Sequence, residues 1–355
     1  MLILASALLG AALQTGAPAL ADAYYYFLQG RILEGRGDLP AAITAYKRAA
    51  ELEPRASSIH ADLAGLYARA GRAADAMAEG ETAIKLDKTD REAHRILGLV
   101  QAAVAENMPA GGPQSKMIGD AIGHLEQALV GARDPGAELT LARLDVRTER
   151  LDKGIEVLRN FLFDNPGYPD GVMLLAEALE KKGQVDEAID ALRTVATDSS
   201  TPDVPVALAT LLERVNRWKD AAEVWGGLAN HSADPAYRMQ QATALMNAGD
   251  VTTARDVLRG FTQDRPRELG AWYLLAQAER RLGNAPGAEE AAKHIAGVDA
   301  NDPRGPLAMA EAKEAARDYA GVIAALEPLY AKRRTEARAD DDVLAFAGVT
   351  LASAY

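Results

Sequence analysis

Apolar and small residues recur along this chain at i, i+4 and i+7, in a pattern that restarts roughly every 34 residues. The stretch 23–54 shows the unit. Two apolar-striped segments flank Gly37 and Asp38: Tyr26 and Leu33 lie on the first, Ala42, Tyr46 and Ala49 on the second, and Pro54 follows. A 3.6-residue period interrupted by a turn predicts two α-helices in a hairpin. One such hairpin cannot bury both of its stripes, so neighbours of the same shape must stack on it.

The small residue Ala42 returns as Ala76, Ala121, Gly154, Ala188, Ala221, Ala254, Ala288 and, enlarged, Val322, at intervals of 34, 45, 33, 34, 33, 33, 34 and 34. A small side chain at that place is what a close helix–helix crossing requires. Four and seven residues later come apolar positions such as Leu158 and Phe161, Leu192 and Val195, or Leu258 and Phe261. These make the buried stripe of each second helix. Twelve residues before the marker a second small residue marks the first helix: Gly30, Ala64, Ala142, Ala176, Ala209, Ala242, Ala276 and Ala310. In the third unit Gly98 precedes Ala121 by 23. Gly37, Gly71, Gly183, Asn216, Gly249 and Gly283 stand where the two helices turn, and Asp38, Asp250, Asn284 and Asp318 where an N-cap is needed. Pro54, Pro166 and Pro266 are expected to end second helices, with Pro135, Pro235 and Pro303 doing so slightly later.

On these residues the chain resembles the tetratricopeptide repeat family, in nine near-complete copies and part of a tenth from about Ala23 to Tyr355. Trp272 sits at the family's first-helix tryptophan position, which elsewhere holds Tyr26, His60 or His94. The resemblance implies an all-α tetratricopeptide-repeat solenoid, a right-handed superhelix of antiparallel helix pairs, of a bacterial secreted or periplasmic type. The pentatricopeptide family shares the helix-pair design but reads RNA, and the charge argues against it.

Two places depart from the repeat. The third unit carries about eleven extra residues, so its first helix is expected to run to about Glu106, followed by an inserted surface loop near 107–116 where Gly111, Gly112 and two prolines oppose helix. At the other end, Asp340, Asp341 and Asp342 precede a single apolar segment with Gly348 at the small position. The triplet fits a helix N-terminus better than a Ca²⁺ loop, since no EF-hand spacing follows. An apolar end exposed at Leu344, Phe346 and Leu351 is expected there, and the uncovered Tyr24-Tyr25-Tyr26-Phe27 run is expected to be partly exposed at the opposite tip.

Residues 1–21 read as a leader. Leu2 to Leu13 is apolar, and Ala19-Leu20-Ala21 and Ala21-Asp22-Ala23 are A-x-A triplets, yet no Lys or Arg precedes Arg31. A signal peptide, a short membrane anchor and a buried first helix are the three readings, with the repeat array over 22–355 and a periplasmic or secreted location expected. The net charge of −12, with no basic cluster larger than Lys332-Arg333-Arg334, repels nucleic acid. The absence of cysteine excludes disulfides and thiolate metal sites.

Catalytic, cofactor and metal sites are not expected. His60 and His94 hold equivalent places in adjacent units and read as a packing pair, because no third residue with metal-site spacing accompanies them. No phosphate loop, nucleophile elbow or H-E-x-x-H motif occurs. What remains is binding. The resemblance implies that first helices line a concave groove, and its groove positions fall on Phe27 and Arg31, Met173 and Glu177, Met239, Thr243 and Met246, and Tyr273, Gln277 and Arg280. A clamp for a chaperone's C-terminal carboxylate is not matched, since Ala61, Gly65, Arg95 and Leu99 occupy its positions. The expected function is a non-enzymatic protein–protein interaction scaffold that binds partner peptides or proteins in the groove. The alternatives are a structural subunit of a bacterial envelope export or assembly complex, for exopolysaccharide or outer-membrane protein, and a helper region of a larger protein. Oligomeric state and partner identity are not encoded in the pattern.

Overall fold

The computed structural model describes residues 20–196, 201–336 and 342–355, which form nineteen helices and, among the described residues, no strand. They are α1 (20–35), α2 (Leu39–Leu52), α3 (Ser57–Arg69), α4 (Ala73–Leu86), α5 (Arg91–Glu106), α6 (Gly112–Ala128), α7 (Pro135–Arg147), α8 (Leu151–Asp164), α9 (Pro169–Lys181) and α10 (Val185–Ala196). The series continues with α11 (Asp203–Arg214), α12 (Trp218–His231), α13 (Pro235–Asn247), α14 (Val251–Asp264), α15 (Leu269–Arg281), α16 (Ala285–Val298), α17 (Arg304–Ala315), α18 (Tyr319–Glu336) and α19 (Asp342–Ala354). Odd-numbered helices are the first helices of each repeat and even-numbered ones the second. The chain divides into two compact units, one ending at Ala188 and one beginning at Ile189.

The small markers do what the spacing predicts. Ala42, Ala76, Ala121, Ala188, Ala221, Ala254 and Ala288 are fully buried. The glycines show why: a Cβ built on Gly98 would lie 2.6 Å from Leu125 and 3.2 Å from the Ala121 carbonyl oxygen, and one on Gly30 would lie 2.6 Å from the Tyr46 ring. Around them Tyr46, Leu63, Leu66, Leu97, Leu125, Leu158 and Phe161 fill the first unit, and Leu192, Leu211, Leu212, Leu258, Ile295 and Leu326 the second.

The turns follow the same logic. Gly37, Gly71, Gly183, Asn216, Gly249 and Gly283 all take positive φ between the paired helices. Glu149 (φ 60°) and Arg317 (φ 58°) fill the same place in two repeats where no glycine signals it. Asp38, Asp250, Asn284 and Asp318 each accept a backbone N–H two or three residues into the following helix.

Three expectations are corrected. Pro135 and Pro235 open α7 and α13 instead of closing the preceding helix, and Pro303 is the N-cap of α17. A proline in the first turn loses no hydrogen bond, because that N–H has no intrahelical acceptor. For the same reason half of the expected loop is helical: 107–111 is loop, and α6 starts at Gly112 with Pro113 in its first turn. Gln114, expected in the loop, is buried and donates to the carbonyls of Ala105 and Met108. Finally, Leu351 is buried against Leu326 and Leu329, while Phe346 and Val349 of α19 are exposed. Residues 1–19, Asp340 and Asp341 lie outside the described residues, as do the side chains of Asp342 and Leu344. On α1, Tyr24 and Tyr25 are exposed, whereas Tyr26 and Phe27 pack onto the first unit's core.

Candidate functional site

In the second unit the first helices α13, α15 and α17 pack side by side, and the repeat spacing brings their equivalent positions together. The Tyr273 hydroxyl of α15 donates to Glu311 Oε1 of α17 at 3.2 Å and is hydrogen-bonded by Gln277, one turn further along α15. Arg280 Nε stands 3.5 Å from Glu311 Oε2, in ion-pair contact but without a hydrogen bond. Burial pushes the Glu311 carboxyl above its usual range, against the opposing pull of Arg280. Burial also raises Tyr273, and the Glu311 charge adds to that.

Beside this network, Met239 of α13 lies over Gly270: a Cβ on that glycine would come 3.1 Å from the methionine sulfur and 3.4 Å from Arg304 Nη1. Thr243 is half-buried, its hydroxyl donating to the Met239 carbonyl at 2.9 Å. The structure therefore brings Tyr273, Gln277 and Arg280 together and places Met239 and Thr243 half-buried on the preceding first helix. Met246 is buried within the core cluster with Ala242 and Leu258, so it is a packing residue and not a groove contact. Met246 follows the buried Ala242 by four residues, on the same face of α13, and joins Ala254 in that cluster.

In the first unit, Phe27 packs edge-on against Tyr46 at 5.4 Å between ring centroids, while Arg31 is exposed on α1. Met173 is half-buried on α9, and Glu177 is exposed and paired with Lys181 at 2.7 Å. Next to Arg31 runs an acidic line that the groove positions did not single out. Glu34 accepts from the Tyr46 hydroxyl at 3.2 Å and pairs with Arg69. Asp62 on α3 is pushed up to about 6, by burial first and by Glu34, Glu92 and Asp90 besides, with Arg31 opposing. Glu311 was also missed, although a signal existed: it lies 34 residues after Gln277, directly after the small residue Ala310.

The histidines are placed differently from expectation. His60 and His94 do not pair with each other. His60 Nδ1 meets Glu79 at 2.7 Å, and His94 Nδ1 meets His124 Nδ1 at 2.9 Å. Each ring meets a side chain on the second helix of its own repeat, Glu79 on α4 and His124 on α6. Among the described residues no three His, Cys, Asp or Glu side chains are gathered as a metal site, and no helix is long and apolar enough to cross a membrane.

The sequence pattern of the Tetratricopeptide repeat family matches residues 27–91, 139–203 and 239–306, together more than half of the chain. Cellulose synthase operon protein C of Pseudomonas fluorescens (strain SBW25) is 24% identical over 303 residues, covering 79% of this chain. The chain spans 23% of that relative's length. Among solved structures, Naa15/Naa10 bound to HypK-THB is similar over 94% of this chain and 50% of its own, at 17% identity and a TM-score of 0.54, a likeness of fold. The MamA protein structure is 23% identical, covering 51% of this chain and 94% of its own, with a TM-score of 0.43. The helix pairs, their small crossing residues and the matched segments agree: this chain belongs to the tetratricopeptide repeat family.

Proposed function

We propose that the chain is a protein-interaction scaffold that receives partner peptide segments along the exposed faces of its first helices. The observation that carries this reading is the Tyr273–Gln277–Arg280–Glu311 network, a set of polar side chains held ready on two adjacent first helices. Because Glu311 answers the Arg280 charge, the surface offered with Met239 and Thr243 is a thioether, a hydroxyl, an amide and an aromatic ring. That chemistry suits a neutral segment with apolar side chains and unpaired backbone groups. In the first unit Phe27, Arg31, Met173 and Glu177 are the proposed equivalents, of which Arg31 and Glu177 are the most accessible. Replacing Thr243 and Gln277 together by Lys should abolish capture of partners while leaving the helical circular dichroism unchanged. Capture equal to that of the parent would show that these helix faces are not the site.

A second reading places the scaffold in a bacterial envelope assembly. The relatedness to Cellulose synthase operon protein C supports it, as does the apolar leader read at residues 1–21 as a signal peptide or anchor with a periplasmic location. Fractionation of the expressing cell tests it: stable co-purification with an envelope complex is expected, and a monodisperse cytoplasmic protein would count against it.

A further inference from the structure

The second and third repeats use one geometric device with two different chemistries. His60 and His94 each stand four residues before the small residue of their first helix, Ala64 and Gly98. Each reaches the residue three after the second-helix marker: Glu79 after Ala76, and His124 after Ala121. In the second repeat a proton on the imidazole is answered by a carboxylate 2.7 Å away. In the third it faces another imidazole at 2.9 Å, with the ring centroids 5.1 Å apart.

The protons in the third repeat can be placed. His94 is 8% exposed, and its Nε2 lies 3.1 Å from the Lys88 carbonyl oxygen, which only accepts, so Nε2 carries a hydrogen. A neutral His94 thus has a bare Nδ1 and accepts from the Nδ1–H of His124. One added proton is accommodated: His94 then donates through Nδ1, and His124 carries its hydrogen on Nε2. A second added proton sets N–H against N–H at a distance where no acceptor is left, and the rings must part.

We propose that the His94–His124 pair is a proton-operated latch between α5 and α6, closed when the pair holds at most one added proton and released when both rings are charged. The surrounding charges bear on where it opens. Asp120 on α6 and Glu81 on α4 favour a proton on His124, but burial and then His94 oppose it, and the balance lies below the ordinary histidine value of 6.5. Asp90, which caps α5, is engaged with the Ala93 N–H. From α3, Asp62 lies within electrostatic reach of Asp90 and Glu92 at the start of α5. On α7, Glu138 and Asp145 are held by Arg133 and Arg150. The sign follows for His124: the unfolded chain takes up its proton more readily, so the stabilisation is present above 6.5 and is lost as pH falls through the lower folded value of His124. Arg95 and Leu99, at the groove positions of α5, ride on the helix that the latch holds.

Hydrogen exchange of the full chain at pH 7.5 and pH 5.0, corrected for intrinsic rates, tests the latch. Peptides of α5 and α6 should lose protection at pH 5.0 while those of α3 and α4 keep it. His124→Glu, which restores the second repeat's chemistry, should keep α5 and α6 protected. Parallel losses in both helix pairs, or a His124→Glu variant as acid-sensitive as the parent, would overturn the proposal. Should that variant not fold, imidazole ¹⁵N spectra of the parent decide. Proton uptake by His94 and His124 at two separated pH values supports the latch, and joint uptake at one pH contradicts it.

Discussion

The Tyr273 hydroxyl donates to the Glu311 carboxylate at 3.2 Å, across two successive first helices and 38 residues of sequence. The pair is coupled electrically as well as by contact, since the Glu311 charge reinforces the rise that burial gives Tyr273. Glu311→Gln should therefore lower the pH at which Tyr273 ionises, while burial still holds it above the usual tyrosine value. The Tyr273 ring-carbon resonance in ¹³C-tyrosine-labelled protein reads this directly, and an unchanged titration would separate the two residues.

Asp62 predicts a pH dependence of the opposite sign to that of the histidine pair. Its carboxyl is raised from 3.8 to about 6, mainly by burial, so the folded chain holds this proton more tightly than the unfolded one. The resulting stabilisation is complete below 3.8 and is lost as pH rises through about 6. Asp62→Asn should raise stability at pH 7.5 by about 1 kcal/mol, a figure discounted for solvent screening of a half-exposed side chain. At pH 4 the same substitution should change little. Urea unfolding at the two pH values provides the comparison.

Two glycines in the third repeat should answer oppositely to the same substitution. At Gly98 a Cβ meets Leu125 at 2.6 Å and the Ala121 carbonyl oxygen at 3.2 Å, so Gly98→Ala should cost about 1–3 kcal/mol by overpacking. At Gly123, inside α6, a Cβ meets nothing within 4 Å. Gly123→Ala should stabilise by about 0.5–1 kcal/mol through helix propensity alone. Thermal melts of the two variants give the sign of each.

The helix pairs were legible because their crossings demand small side chains, and Ala42, Ala76 and Ala121 announce themselves by recurrence. The prolines misled because position within a turn, not composition, decides their effect: Pro113, Pro135 and Pro235 start helices that they could not continue. The groove was legible only as a list of positions. Which of them face outward depends on how far the second helix lets a side chain in, and for Met246 it lets it all the way. The His94–His124 contact was not legible, since the repeat rule places residues of one kind of helix and says nothing of which polar side chain crosses to the other.

Glu149 offers a test of the turn geometry where sequence gave no signal. Its φ of 60° is the left-handed conformation that six of the equivalent turns give to glycine or asparagine. Glu149→Gly should raise stability by about 0.5–1 kcal/mol by removing the Cβ penalty. A loss of stability would mean that the side chain contributes a contact of its own.

Partners are expected on the faces of the first helices. A photo-crosslinking residue introduced in turn at Thr243 and Gln277, on α13 and α15, and at Arg255 and Glu290, on the neighbouring second helices, tests it most directly. Partner adducts are expected from Thr243 and Gln277 and none from Arg255 and Glu290; adducts from the second-helix positions, with none from the first, would place the partner elsewhere.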